Sequence, residues 1–351
     1  VIGDDGKQYR TFPRLNYGGA HLADPRERNS DIARRSLQAL VQAVAFTLLF
    51  SVLLAAWLAL RLRLSLAVSI RRILSGGLDV PWRTAIASIF VFSLIITLIA
   101  NLADVYHVFG TDKVGKDVLY QSIKSIRTGL VIGTLTTLVM LPFAVLLGMM
   151  AGYFRGWVDD VIQYLYTTLN SIPGVLLIAA AVLMMQVYMD NHPELFETMA
   201  ERADLRLLFL CLILGITSWT GLCRLLRGET LKLRELDYVQ AAHAFGVPRA
   251  TILIRHLLPN LLHLVLIAVV IDFSGLVLAE AVLSYVGVGV DPTTMSWGNM
   301  INRARLEMAR EPMVWWSLLA AFSFMFTLVL AANLFSDVVR DAFDPRLRVR
   351  P

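Results

Sequence analysis

Two acidic residues, Asp272 and Glu280, lie inside the apolar run from Leu261 to Val286. A carboxylate there is costly to keep charged. It either accepts hydrogen bonds from a neighbouring helix or faces a water-filled path where it can bind a cation or relay a proton. The first role takes precedence over direct substrate contact. A second polar insertion, Asn170-Ser171 just before Pro173-Gly174, falls in the run Val161–Val187. A proline within a membrane helix frees a carbonyl and bends the helix, and Asn170 and Ser171 can satisfy such freed groups. The bend is either a packing kink or a hinge beside a translocation path. His243, His256 and His263 are near in sequence, but their spacing suits no metal site. Cys211 and Cys223 sit within or beside an apolar run and imply neither a disulfide framework nor a metal cluster. The chain contains no G-x-x-x-x-G-K-[ST], H-E-x-x-H or G-x-S-x-G sequence, so no catalytic role has support.

The elements that must position these groups are long and apolar. Of 351 residues 57% are hydrophobic, and they gather into seven runs: 37–60, 85–102, 129–153, 161–187, 207–225, 261–286 and 314–334. A bilayer core takes about 20 apolar residues per helix. The runs lack the polar face a buried soluble helix would carry, which predicts an all-α polytopic membrane protein. The net charge of +5 does not point to nucleic acid, because the basic residues sit at the ends of apolar runs. Residues 61–79 interleave Arg61, Arg63, Arg71 and Arg72 with apolar positions, predicting a helix on the cytoplasmic membrane surface, broken at Gly76-Gly77 and Pro81. Residues 188–206 are polar and mostly acidic, which suits an extracytoplasmic loop with a short helix from Pro193. Thr217-Ser218-Trp219 places polar atoms within a span, marking a stripe that faces protein or pore.

Between two of these runs lies the polar stretch 233–260. Asp237 to Phe245 are good helix formers, with Gly246 where a C-cap falls. Pro248 fits the first turn of a second helix running to Leu258, which Pro259 stops. This predicts a short cytoplasmic helical hairpin able to dock into a groove on a soluble partner.

Gln240-Ala241-Ala242, Gly246 and Leu258-Pro259 resemble the EAA loop of ABC-importer permeases, E-A-A-x3-G-x9-I-x-L-P, with Gln240 for the usual Glu and His256 for the usual Ile. Arg255 to Asn260 is similar to the peptide/nickel branch. The segment from His107 through Phe109, Gly110, Thr111 and Asp112 to Gly115, Lys116 and Asp117 is similar to that branch's H-P-F-G-T-D-x-x-G-R-D-x-L, with Val108 for Pro and Lys116 for Arg. Gly152 to Asp159 resemble AGYFGGWVDE, and Ser171 to Pro173 resemble S-I-P. Residues 278–287 resemble ILAEAALSFLGLG, with Glu280 in register, whereas Asp272 has no counterpart. Residues 291–300, with Trp297, resemble PPxPSWGNM, and residues 337–347 resemble GDxLRDxLDPRL. The resemblance covers 107–347 in fixed order.

The resemblance implies a type I ABC-importer permease core with an additional N-terminal transmembrane helix. Residues 107–347 would form a core of five helices with the coupling hairpin at 234–259. Residues 37–106 would form two N-terminal spans with a basic linker, residues 1–36 a polar extracytoplasmic segment, and residues 348–351 a tail. It also implies one half of a translocation pathway for peptides or related solutes in the bacterial inner (plasma) membrane. The partners would be a second homologous permease subunit, two ATP-binding subunits, an extracytoplasmic substrate-binding protein and the lipid bilayer, with no nucleic acid. This chain would hold no cofactor; ATP and Mg would be bound by the ATPase subunits. Asp237, Gln240, Ala241, Ala242, Gly246, Leu258 and Pro259 would contact the ATPase. His107, Phe109, Gly110, Thr111, Asp112, Gly115, Asp117 and Trp297 would face the binding protein. Asn170, Ser171, Pro173, Asp272 and Glu280 would border the pathway. Two other classes stay open: an ion-coupled secondary transporter using Asp272 and Glu280, and a scaffold that moves nothing.

A cytoplasmic hairpin and seven spans place residues 1–36 outside. Yet that segment has seven Lys or Arg against five Asp or Glu, a mild vote for inside. Either a further span ahead of Val1, the preferred reading, or one run that does not cross would reconcile the two.

Overall fold

The computed structural model describes residues 17–22, 24–77, 80–195, 198–309, 311 and 313–343. It divides at Gly110/Thr111 into two compact units. The polar start of the chain up to residue 16, the motif at 344–347 and the tail at 348–351 lie outside the described residues.

The first unit is a helical hairpin, α1 (Arg28–Leu62) and α3 (Trp82–Ala103), joined through the short α2 (Leu66–Ser75). α1 starts well ahead of its apolar run. Its polar first turns are tied down by Asp31, which accepts from Arg35 Nε at 2.9 Å and from Tyr106 Oη at 2.9 Å and is 3.0 Å from His21 Nε2. The helices are then held by a polar stripe on α3. Ser93 Oγ lies 3.3 Å from Thr47 Oγ1, Thr97 Oγ1 donates to the Ala39 carbonyl at 3.0 Å, and Asn101 Nδ2 donates to Gln42 Oε1 at 2.7 Å. Positions 93, 97 and 101 share one face, and fully buried Ala39 and Ala43 allow close approach.

The second unit is organised around α4 (Val118–Phe154), which packs against α7 (Met199–Ser218), α8 (Thr220–Arg234), α11 (Leu258–Val286) and α13 (Trp316–Phe343). The remaining helices are α5 (Gly156–Ser171), α6 (Gly174–Asn191), α9 (Asp237–Ala244), the three-residue α10 (Arg249–Thr251) and α12 (Trp297–Met308). Gly148 and Gly152 bring α4 against α8. A Cβ at Gly148 would stand 2.8 Å from the Cys223 carbonyl oxygen, and one at Gly152 2.6 Å from Thr230 Cβ, so neither position admits a side chain without parting the helices.

Among the described residues seven helices are long and apolar enough to cross a membrane, two in the first unit and five in the second. The chain is thus an all-α polytopic membrane protein. Three expectations need correction. The run 161–187 is not one bent span: Pro173 separates α5 from α6, and only Gly174–Asn191 qualifies for crossing. Hydropathy cannot register that a missing N–H and a fixed φ end one helix and start another. Pro259 does not stop the second arm of the hairpin. Residues Arg249–Val286 form one continuous helical stretch, wound as a π-helix over Ile252–Leu257, which ends two residues before the proline. Proline would clash with the carbonyl four residues back, that of Arg255, and the wider π turn relieves it. The loop 188–206 is mostly helical, because α6 extends to Asn191, Pro193–Leu195 is a 3-10 turn, and α7 starts at Met199 with Thr198 as its cap. The polar atoms at Thr217-Ser218-Trp219 coincide with the junction of α7 and α8.

Candidate functional site: the interhelical hairpin and its supports

The hairpin grows from the end of α8. Arg234 donates to the Tyr153 carbonyl at 2.6 Å, satisfying one of the acceptors left open at the end of α4, and its guanidinium lies over the Tyr153 ring. Beside it Arg155 pairs with Glu235 at 2.6 Å. Arg155 sits at φ +56°, outside the usual range for a side-chain-bearing residue, where the chain reverses between α4 and α5. Asp159, at the start of α5, receives two bonds from Arg227, Nε to Oδ1 at 2.6 Å and Nη2 to Oδ2 at 2.7 Å. The Arg227 guanidinium holds the buried Asp159 carboxyl below the usual carboxylate range.

α9 follows, with Asp237 in its first turn where the helix dipole favours a negative charge. Its end is a Schellman motif. Val247 N donates to the Ala242 carbonyl at 3.1 Å, and Gly246 N to the His243 carbonyl at 3.1 Å. Gly246 has φ +75°, and an added Cβ there would meet nothing within 4 Å, so backbone conformation alone selects glycine. One face of the hairpin is buried, with Val239, Ala242, Ile252 and Leu257 packed around Tyr153. The opposite side presents Asp237, Ala241 and Phe245, and Phe245 is 87% exposed.

This geometry sorts the residues expected at an ATPase contact. Asp237, Gln240, Ala241, Gly246 and Pro259 are exposed. Ala242 is buried under the hairpin, and Leu258 is half-buried against the main core. Gln240 donates to the Glu235 carbonyl at 3.2 Å. Phe245 was not singled out from sequence. The signal was its position, four residues after Ala241 and just before the turn glycine.

At the other end of α4 the segment ahead of it is a tightly bonded turn. Asp112 Oδ1 accepts from Val114 N at 3.0 Å and Lys116 N at 2.8 Å, and Asp112 Oδ2 accepts from Gln121 Nε2 at 3.1 Å. Gly115 has φ +83°, and Asp117 caps α4 by accepting from Tyr120 N at 2.6 Å. Thr111 O accepts from Trp316 Nε1 at 2.9 Å. His107, Phe109 and Gly110 close the first unit, where His107 N donates to the Tyr17 carbonyl at 3.0 Å. Trp297 cannot face a partner, because it is 1% exposed and its Nε1 donates to the Ser122 carbonyl at 3.1 Å.

The intramembrane polar residues are not gathered into one site. Glu280 is buried and accepts from Ser284 Oγ at 2.6 Å, while Ser284 Oγ accepts from Val290 N at 3.2 Å. Its place is a closed bonding chain within the bundle. Asp272 is half-buried and has no bonding partner among the described residues. Eight residues of helix separate it from Glu280, roughly 12 Å along the axis. Asn170 Oδ1 accepts from Thr220 Oγ1 at 3.0 Å, and Ser171 Oγ donates to the Thr167 carbonyl at 2.8 Å, so neither serves the break at Pro173. Among the described residues no group of His, Cys, Asp or Glu could hold a metal ion.

Fold and hairpin together define a multi-pass membrane component in which a polar elbow is anchored to the ends of spanning helices. Residues 144–349 match the family of binding-protein-dependent transport system inner membrane components. The chain is 32% identical over 244 residues to the glutathione transport system permease protein GsiD of Pectobacterium atrosepticum, covering 69% of this chain and 73% of that one. It is 30% identical over 244 residues to the oligopeptide transport system permease protein OppC of Haemophilus influenzae (69% and 71%). Against the dipeptide transport system permease protein DppC of Bacillus subtilis it is 27% identical over 242 residues (69% of each). The chain therefore belongs to the binding-protein-dependent transport system inner membrane component family, the permeases of ABC transporters. It is a multi-pass protein of the bacterial inner membrane, with a permease core preceded by an additional N-terminal helix. Membership implies a substrate-binding protein and an ATPase as partners.

Proposed function

We propose that this chain forms half of the translocation pathway of an ATP-driven importer for peptides or related solutes, and that the hairpin at 234–259 couples it to the ATPase. The relatives named above transport glutathione, oligopeptides and dipeptides by their descriptions, which supports the solute class. The observation that carries the coupling reading is the two-sidedness of the hairpin. Its inner face is fixed to α4 and α8 by Arg234, Tyr153 and the Val239–Ala242–Ile252–Leu257 cluster, while Phe245 stands exposed on the opposite side. A part built this way transmits displacement, because a push on Phe245 moves the ends of spanning helices rather than a loose loop. The ATPases would hydrolyse ATP, with Mg bound there, and their closure would shift the pathway between inward-open and outward-open. Coupling requires ATP and solute each to prefer one of those states. A second permease subunit and two ATPases would complete the complex, and the Asp112–Asp117 turn would lie on the side of the binding protein.

Gly246→Pro should insert in the membrane normally yet fail to retain the ATPase on affinity purification. Normal co-purification would refute the coupling role. Membership of an ATP-driven family and the closed bonding of Glu280 leave ion-coupled transport through Asp272 and Glu280 unsupported.

A further inference from the structure

The family match starts at residue 144 and leaves the first unit without an assigned task, and α2 carries the features of a lipid-reading surface. Between Arg61 and Arg83 the sequence holds five arginines and a single acid, Asp79. Arg61, Arg63, Arg71, Arg72 and Arg83 are all exposed, and none forms an ion pair among the described residues. α2 is anchored on one side, where Ser69 and Ile73 are buried and Ile73 packs against Leu54, Ala55 and Leu58 of α1. Leu66, Ile70 and Leu74, spaced by four, remain exposed as an apolar stripe; Arg71 stands roughly 100° round the helix from it, away from the buried side, and Arg72 lies on the far side of the helix. Trp57 and Trp82 meet edge to face at 6.5 Å at the same end of the hairpin, and the Arg61 guanidinium lies 5.1 Å from the Trp57 ring centre. Paired tryptophans at the ends of two spanning helices mark the depth of a membrane interface.

We propose that α2 is an interfacial helix that binds the headgroups of anionic phospholipids. Leu66, Ile70 and Leu74 dip into the acyl boundary, and Arg61, Arg71 and Arg72 lie at the phosphate level. Charge selects this occupant: an apolar stripe alone enters any bilayer, whereas unpaired arginines beside it favour a negative leaflet. Counting spans back from a cytoplasmic hairpin places α2 on the inner leaflet, which agrees with its positive charge. The binding itself does not depend on the coupling reading.

The test reconstitutes the full chain in nanodiscs of phosphatidylcholine alone or with added phosphatidylglycerol and follows hydrogen exchange. Amides of residues 66–75 should exchange roughly tenfold or more slowly with phosphatidylglycerol present, since each arginine at an anionic surface contributes a factor of about five. Helices α4 and α11 should exchange alike in both discs, reporting an intact fold. High salt and R71Q/R72Q should each abolish the difference, and R71K/R72K should restore it. Equal exchange of wild-type α2 in the two discs would overturn the proposal. So would a difference that survives R71Q/R72Q, or slowing that appears only on adding the ATPase and in either lipid, which would make the partner a protein.

Discussion

The hairpin after α8 and the segment leading into α12 are both polar interruptions between spanning helices, and each carries a conspicuous aromatic residue. They use it in opposite ways. Trp297 is sunk among α4 and α12, with its indole N–H bonded to a backbone carbonyl of α4. Phe245 stands on a capped turn with its ring in the open. One aromatic closes the bundle on itself, and the other is offered to something outside the chain. Burial, not motif membership, separates a residue that stabilises from one that binds.

Substitutions can break this comparison, and the largest stability effect belongs to the buried side. Trp297→Ala should cost about 3–5 kcal/mol, read as a lower thermal midpoint in detergent. The ATPase retained per folded molecule should be unchanged. Breaking the bidentate pair with Asp159→Asn should cost about 3 kcal/mol, since it leaves Arg227 without its carboxylate. The pH dependence has a definite sign. Asp159 is held below its ordinary value in the fold, so its contribution is fully present above the usual carboxylate range. It is lost as pH falls through the lowered folded value. Wild type should therefore lose more stability than Asp159→Asn in acid unfolding below about pH 4.

Gly246→Ala should cost about 1–2 kcal/mol, the price of a side chain at positive φ. Local exchange at residues 242–247 should report it while α4 stays protected. Phe245→Ala should change stability by less than about 0.5 kcal/mol, because the ring is exposed. Its loss should instead weaken ATPase affinity by about 2 kcal/mol or more, as removal of an aromatic anchor does. A comparable thermal loss in Phe245→Ala and Trp297→Ala would erase the distinction.

Much of this was legible before any coordinates. Run lengths located the spanning helices except over 161–187, where only Gly174–Asn191 is long and apolar enough, and Gly246 marked the turn because few other residues tolerate its φ. The arginine-rich linker at 61–79 read as a surface helix; a separate helix forms over Leu66–Ser75, while Arg61 belongs to the end of α1. What escaped the sequence was orientation and continuity. Ala241 and Ala242 are chemically identical, yet one faces out and the other is buried, and only the packing of Tyr153 and Ile252 decides which. Pro173 and Pro259 both sit at the polar edge of an apolar stretch. The first separates two helices and the second is absorbed by π turns, an outcome set by neighbouring geometry rather than by the proline. Trp297 belonged to an outer motif whose resemblance carried a place in the membrane but not a side-chain direction.

The most direct test places a photoreactive phenylalanine analogue at position 245 in the intact complex and identifies what it captures. The coupling account predicts a crosslink to the ATPase subunit, with yield that changes when ATP closes the ATPase dimer. A crosslink to the extracytoplasmic binding protein, or no capture in a complex shown to be assembled, would contradict it.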